Sequence, residues 1–354
     1  MGFNIRWLWN CLSIFLVFTS IYLFASIFRF REEADKIGLP YNPWTDLYQA
    51  GFYFAVIAGV RYLATLLVRP ILYKRIYDVD PATFDVRKQK IVRQFLNFLW
   101  YVFIVVYGNV ALAGHPYVPT WLNGTGTCRG LLHDYGTKKG DSIINTYYMM
   151  ESAQHFYTLI EHLFFLPRQK DFSEMALHHL CAMAAILFSY FTNQVAFGAA
   201  ILLIHDYADI FIYLTKLLRD LQIGKSWVID VSYLMVFLSF IFPRIILVSG
   251  CVLPAGIYYR HFDHTFVDPA KQELMDSMYL VDLLQIIQVL IIMLLNFFWT
   301  GIIVQTGYNK LISGKTKNFV IQTQEDIPAN MLKQQTKSMS DTEAMHLAKP
   351  VAAN

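Results

Sequence analysis

The chain has 354 residues, of which 56% are hydrophobic and only 16% charged, with a formal net charge of +3. Soluble domains carry about 25% charged residues, so this composition excludes an ordinary water-soluble fold and makes lipid the solvent for much of the chain. The small positive excess makes no case for a nucleic acid partner, and four cysteines without a CxxC pair exclude a disulfide framework or a cysteine zinc site.

A helix that crosses a bilayer needs about 20 apolar residues. In chain order, eight segments meet that length: Leu8–Phe28, Leu47–Leu67, Gln94–Ala113, Ile144–Phe165, Phe172–Phe191, Gln194–Leu218, Trp227–Val248 and Met278–Val304. In lipid the backbone amides must pair within a segment, and short alternating strands are absent, so these runs predict helices. The expected fold class is therefore an all-α multispanning membrane protein of about eight transmembrane helices. Leu8–Phe28 is long for a cleaved signal peptide and lacks a clear small-residue cleavage site, so it is expected to persist as a helix. Arg6 stands where N-myristoylation would need Ser or Thr.

Orientation follows from the basic residues. Val68–Arg93 holds Arg69, Lys74, Arg75, Arg87, Lys88, Lys90 and Arg93, and Arg168 and Lys170 lie in the Pro167–Lys170 turn. The Arg219–Lys225 turn and a tail with Lys310, Lys315 and Lys317 fall on the same side if every span crosses. The positive-inside rule then predicts cytosolic N- and C-termini. Gly114–Asp141 becomes lumenal, and it contains the glycosylation sequon Asn123-Gly124-Thr125. Cys128 and Cys251 would both face the lumen, where an oxidising environment permits a bridge; two free thiols are the alternative. After Ile312 the chain turns polar and reads as a disordered cytosolic tail, 312–354.

Ionisable residues inside a membrane are costly and mark function. They concentrate in the hairpin Leu177–Lys216. Its first helix carries His178 and His179; its second carries His205, Asp206 and Asp209, with Lys216 further along. Asn193 suits the turn between them. His179 lies 14 residues before Asn193 and His205 lies 12 after it, so both sit about 18–21 Å from the turn. His178, Ala182, Ala185 and Ser189 form one helical stripe of small residues, which leaves a slot beside His178. His179 points about 100° away, toward Met183, Ile186 and Tyr190. His205 and Asp209 share a face, as do Asp206 and Asp209. Gly198, Ala199 and Ala200 allow close helix approach.

An imidazole serves as base or nucleophile near neutral pH, and a carboxylate can orient it. A purely structural polar network is the competing reading. A metal centre is another, because three histidines and two aspartates are plausible zinc or iron ligands. The only HxxH spacing beyond the pair is His261-x-x-His264, in a predicted lumenal loop. The preceding helix carries its own stripe, Glu151, His155, Thr158 and His162, which either lines the same cavity or forms an internal network.

Lys170-Asp171-Phe172, Met175-x-x-His178-His179, Phe188-Ser189-Tyr190-x-x-Asn193, Gly198, His205-Asp206-x-x-Asp209 and Lys216 together resemble the longevity-assurance motif of ceramide synthases, within the TLC-domain superfamily. The match covers about 50 residues. Looser similarity, including Phe242-Pro243-Arg244, extends over roughly Asp80–Lys310. Asp46–Val79 resembles the family's first spanning segment. The domain division implied is 1–46, an extra helix and loop; 47–79, the family's first helix; 80–311, the TLC domain; and 312–354, the tail. The resemblance implies a TLC-type helical barrel around a central cavity, in the endoplasmic reticulum membrane. It implies transfer of a fatty acyl group from acyl-CoA, as co-substrate and without a further cofactor, to a sphingoid base. His178, His179, His205, Asp206 and Asp209 would be catalytic, with a histidine as acyl acceptor or base. Ser189, Asn193, Lys216 and Arg244 would line the substrate cavity, joined by Glu151 and His155 where the stripe of the preceding helix, which is not part of the motif, faces it. A non-enzymatic lipid-sensing or lipid-carrying TLC protein is the alternative, and a homodimer or a small regulatory subunit stays open. Acyl length would depend on roughly Gly250–Met278. Tyr207, Ala208 and Tyr213 depart from the family pattern and put substrate preference in question.

Overall fold

The architecture is that of a computed structural model, which describes residues 5–73, 84–132, 141–166, 172–221, 226–254, 256–257 and 269–313. Nine α-helices are described: α1 (Ile5–Lys36), α2 (Asp46–Tyr73), α3 (Phe84–Leu112), α4 (Ser142–Ile160), α5 (Phe172–Phe191), α6 (Val195–Asp220), α7 (Ser226–Phe240), α8 (Pro269–Ser277) and α9 (Tyr279–Ser313). No strand occurs among the described residues; a single isolated bridge joins Pro119 to Gly126. Among the described residues, seven helices are long and apolar enough to cross a membrane. The eighth expected span, Ile144–Phe165, is α4 with a π-helical continuation over Glu161–Phe165. It falls outside the apolar seven because Asn145, Glu151, Gln154, His155 and His162 load it with polar groups. Those groups are tolerable because α4 packs against α2, α3, α5 and α6, and its polar face turns inward.

Observed helices overrun the expected bounds at several ends. α1 continues to Lys36 rather than stopping at Phe28. It packs on α5 and α9, and Leu23, Ile27, Phe30 and Ala34 are buried in the main core. The connection that follows is tied down in turn. Asn42 donates to the Tyr190 carbonyl at 2.7 Å, and Asn145 donates to Asn42 Oδ1 at 3.2 Å. Asn193 Nδ2 donates to the Pro40 carbonyl at 2.9 Å. The 37–45 connection and the α5–α6 turn therefore sit on one side of the bundle. Asn193 has φ of 59°, the left-handed conformation that asparagine tolerates better than most residues.

Cys128 and Cys251 are disulfide-bonded, with a Cα–Cα distance of 6.4 Å. The bridge ties the connection after α3 to the end of the π-helical segment that follows α7, Ile241–Val252, on the side of the α5–α6 turn. Cys11 and Cys181 are free thiols.

The helix begun by α7 widens into a π-helix over Ile241–Val252. Pro243 lies in its first turn and lacks the N–H that an α-helical ladder requires. The wider winding accommodates that loss, and such π segments recur at functional sites. Arg244, next to Pro243, is buried and faces inward. Among the sequence features, Lys74, Arg75, Arg168, Lys170, His261, His264, Lys315 and Lys317 lie outside the described residues, as do 314–354 and, between Gly250 and Met278, residues 255 and 258–268.

Candidate functional site

α5 and α6 do not pack closely along their length. α5 leans on α1, α4 and α9, while α6 leans on α3, α7 and its π continuation. Between them lies a cavity with about 960 Å³ of empty space, part of it open to the outside. His178, Ala182, Ala185 and Ser189 all line it, so the small-residue stripe forms one wall as expected from its spacing. His205, Asp206 and Asp209 line the opposite wall, with Arg244, His155, Gln154, Thr158 and Tyr101 nearby. The remaining surface is mostly apolar, including Phe197, Ile201, Leu202, Val248, Val289, Ile292 and Met293, with Tyr148 and Gln285 as further polar groups. The histidines, Asp206, Asp209 and Arg244 thus gather toward one end of a largely apolar channel.

His179 also lines this cavity, beside His178 rather than turned away from it. The two rings stand 5.5 Å apart, and Trp299 meets His178 edge-on at 5.4 Å. Nδ1 of each histidine is buried without a hydrogen-bond partner. No protein acceptor therefore selects the tautomer of either ring.

His205 is held differently. Its Nδ1 donates to the Ile201 carbonyl at 2.7 Å, which leaves Nε2 as the acceptor on a neutral ring. The Asn296 amide donates to that nitrogen at 3.1 Å. Arg244 donates twice to the His205 carbonyl, at 3.1 and 2.6 Å, and pairs with Asp209 Oδ2 at 2.8 Å. The guanidinium fork suits this double task, because it presents several donors in one plane. Asp206 is buried, and its Oδ2 has no hydrogen-bond donor.

Three of the expected cavity residues are placed off its wall. Glu151 is fully buried behind the lining, against Asp206 and 3.4 Å from the Nδ1 of His155. Asn193 builds the α5–α6 turn. Lys216 lies over the Tyr213 ring at 4.9 Å. His155 does reach the wall, while its Nδ1 donates to the Glu151 carbonyl at 3.0 Å. The α4 stripe thus splits: His155 and Thr158 face the cavity, whereas His162 Nε2 donates to the Phe172 carbonyl and fixes the start of α5.

The three departures from the motif turn away from the channel. Tyr207 donates to Asn109 on α3 at 2.7 Å. Ala208 is buried against Val236, Phe240 and Ile303. Tyr213 stacks on Tyr101 with ring centroids 5.4 Å apart. Asn296, Gln285 and Trp299 are site residues that hairpin-centred reasoning misses. A signal existed in α9: Asp282, Gln285, Gln288 and Asn296 punctuate an otherwise apolar run. No set of three or more His, Cys, Asp or Glu side chains is arranged to hold a metal ion among the described residues.

Residues 90–305 match the TLC domain family. Among curated proteins, ceramide synthase hyl-1 of Caenorhabditis elegans is 24% identical over 241 residues, 66% of this chain and 60% of that relative. Ceramide synthase 4 of Bos taurus is 25% identical over 234 residues, 66% of this chain and 54% of the relative. Ceramide synthase 5 of Homo sapiens is 32% identical over a shorter stretch of 121 residues, 34% of this chain and 29% of the relative. The chain therefore spans between about half and three fifths of the length of the first two relatives.

Proposed function

Because the chain belongs to the TLC-domain family, and relatives named ceramide synthase match about two thirds of it, 66%, we propose that it transfers a fatty acyl group from acyl-CoA to the amine of a sphingoid base. The observation that carries this reading is a pair of histidines with unengaged Nδ1 atoms at the polar end of an apolar channel. An acyl chain has the chemistry to occupy the channel, which would bring its thioester to the histidines.

Two routes suit the pair. In the first, an imidazole nitrogen of His178 attacks the thioester carbonyl; the C–N bond forms, the C–S bond breaks, and CoA leaves as the thiolate. The sphingoid amine then takes the acyl group, restoring the imidazole and releasing a proton. In the second, the amine attacks the thioester while His178 accepts its proton; the C–N bond forms, the C–S bond breaks, and CoA leaves as the thiolate. His179, 5.5 Å from His178, lies close enough for either histidine to relay that proton through water or substrate. His205 contributes position rather than basicity, since both its ring nitrogens are engaged. Arg244 and Asp209 hold the α6 wall in register with the π-helical segment. The basic residues between α2 and α3 would attract CoA phosphates from the cytosolic side. Residence in the endoplasmic reticulum membrane, with both ends cytosolic, belongs to the same proposal; the residence rests on the likeness to ceramide synthases and the orientation on the distribution of Lys and Arg.

The test is an N-acylation assay in membranes containing the full chain, supplied with a long-chain acyl-CoA and a sphingoid base. Amide formation that disappears in His178→Ala, with the variant still folded, supports the reading. A wild-type protein that binds the lipids but forms no amide points instead to a lipid-sensing TLC protein.

A further inference from the structure

We propose that Tyr148 is the floor of the channel and sets the upper limit on acyl length. This deepens the acyl-transfer reading above and rests on it. The channel runs from His178 to Ser189 along α5, eleven residues, or about 16 Å of helix. Its far end is lined by Tyr148, Ser189, Phe197, Gly198 and Gln285. Thr192, Asn193, Gln194 and Asp282, one layer further on, are buried and off the wall.

Tyr148 reaches this end from α4, and three contacts hold it there. Ser189 Oγ donates to the Ala185 carbonyl at 2.6 Å, so it accepts from the Tyr148 hydroxyl, 2.5 Å away. The Tyr148 ring lies nearly parallel to that of Tyr190, with centroids 6.0 Å apart. Across the channel, a Cβ on Gly198 would fall 2.0 Å from the Tyr148 hydroxyl oxygen and within 3.0 Å of the ring. The hydroxyl therefore lies against the α6 backbone, in space that only glycine leaves. One side chain from α4 thus closes the gap between α5 and α6.

The floor is backed as well as closed. Tyr190 is hydrogen-bonded to Asp46, and Asn42 donates to the Tyr190 carbonyl at 2.7 Å. Gln194 donates to Asp282 at 3.4 Å. An acyl chain longer than the channel must either leave methylenes outside the protein or break the Tyr148–Ser189 bond and displace a buried ring. Both outcomes disfavour the longer substrate.

The experiment supplies membranes containing the full chain with a sphingoid base and an equimolar mixture of saturated acyl-CoAs, from medium to very long. Product lengths are read by mass spectrometry. The wild type should show a sharp upper cut-off. Tyr148→Ala should move that cut-off to longer chains, raising the ratio of long to short product at least about tenfold, because a closed apolar pocket rejects one surplus methylene by roughly 10- to 200-fold. Tyr148→Phe keeps the ring and should keep the cut-off. Tyr148→Leu should shift it less than alanine does, and it carries the test if the alanine variant does not accumulate. An active Tyr148→Ala or Tyr148→Leu protein with the wild-type length profile overturns the inference. Absence of product from the wild type at every length would instead overturn the acyl-transfer reading.

Discussion

The two helices of the polar hairpin form opposite walls of one channel, yet they hold their histidines in opposite ways. On α5, His178 and His179 face the cavity with Nδ1 atoms that no protein group engages. On α6, His205 has both ring nitrogens satisfied, and Arg244 clamps its carbonyl and Asp209. An imidazole with a free nitrogen can take and give a proton or an acyl group. One engaged at both nitrogens must break hydrogen bonds first, each worth about 1 kcal/mol net and more when a buried partner is left unsatisfied. On the proposed reading, the α5 wall would react and the α6 wall would hold.

Substitution should separate the two walls. The largest effect is expected on α5: His178→Ala should lower acylation by at least about 10²- to 10⁴-fold, the range of a lost acid–base group, without altering detergent thermal stability. A lowered melting temperature of similar size to that of α6 variants would collapse the distinction. Next, Arg244→Met should destabilise by about 3–5 kcal/mol, the cost of leaving a buried charge without its partner. Asp209 keeps some exposure, so the lower end of that range applies; thermal unfolding measures it. His205→Ala should cost about 1–3 kcal/mol by leaving the Asn296 amide without its acceptor. Pairing it with Asn296→Ala in a double-mutant cycle should recover part of that loss, and strict additivity would argue against the contact. The smallest effect is expected for Tyr207→Phe. It loses one hydrogen bond to Asn109, worth about 0.6 kcal/mol between membrane helices, and should leave the product length profile unchanged. A shifted profile would mean that Tyr207 reaches the substrate after all.

The covalent framework offers a separate check on the arrangement of the walls. Cys128 and Cys251 close a span of 123 residues that contains both α5 and α6. Cys251→Ser should lower stability by about 2–4 kcal/mol, the usual worth of a disulfide. Unchanged unfolding with and without reductant would show that helix packing alone holds the channel.

Much of the hairpin was legible in the sequence because helical geometry is local. Apolar length predicted the spans, the alternating three- and four-residue spacing of Ala182, Ala185 and Ser189 predicted a smooth wall beside His178, and Asn193 predicted the turn. The α4 stripe was only half legible. Its period placed Glu151, His155 and Thr158 on one face, but the position of Asp206 put Glu151 behind the wall and left His155 on it. Lys216 was misplaced because a long side chain can turn toward a neighbouring ring, here Tyr213. The bridge between Cys128 and Cys251 stayed open because sequence does not report the distance between two loops.

By itself, then, the sequence determined the solvent, the helices and the small-residue face beside His178. Each follows from composition or from the 3.6-residue period within one helix. Only the tertiary structure decided which histidines stay unengaged, which carboxylate Arg244 meets, and where Tyr148 stops the channel. Those outcomes depend on Asn296, Arg244, Ser189 and Gly198, contributed by four different helical segments. No periodicity within one segment specifies its rotation or depth against another; that is set by packing across the whole bundle.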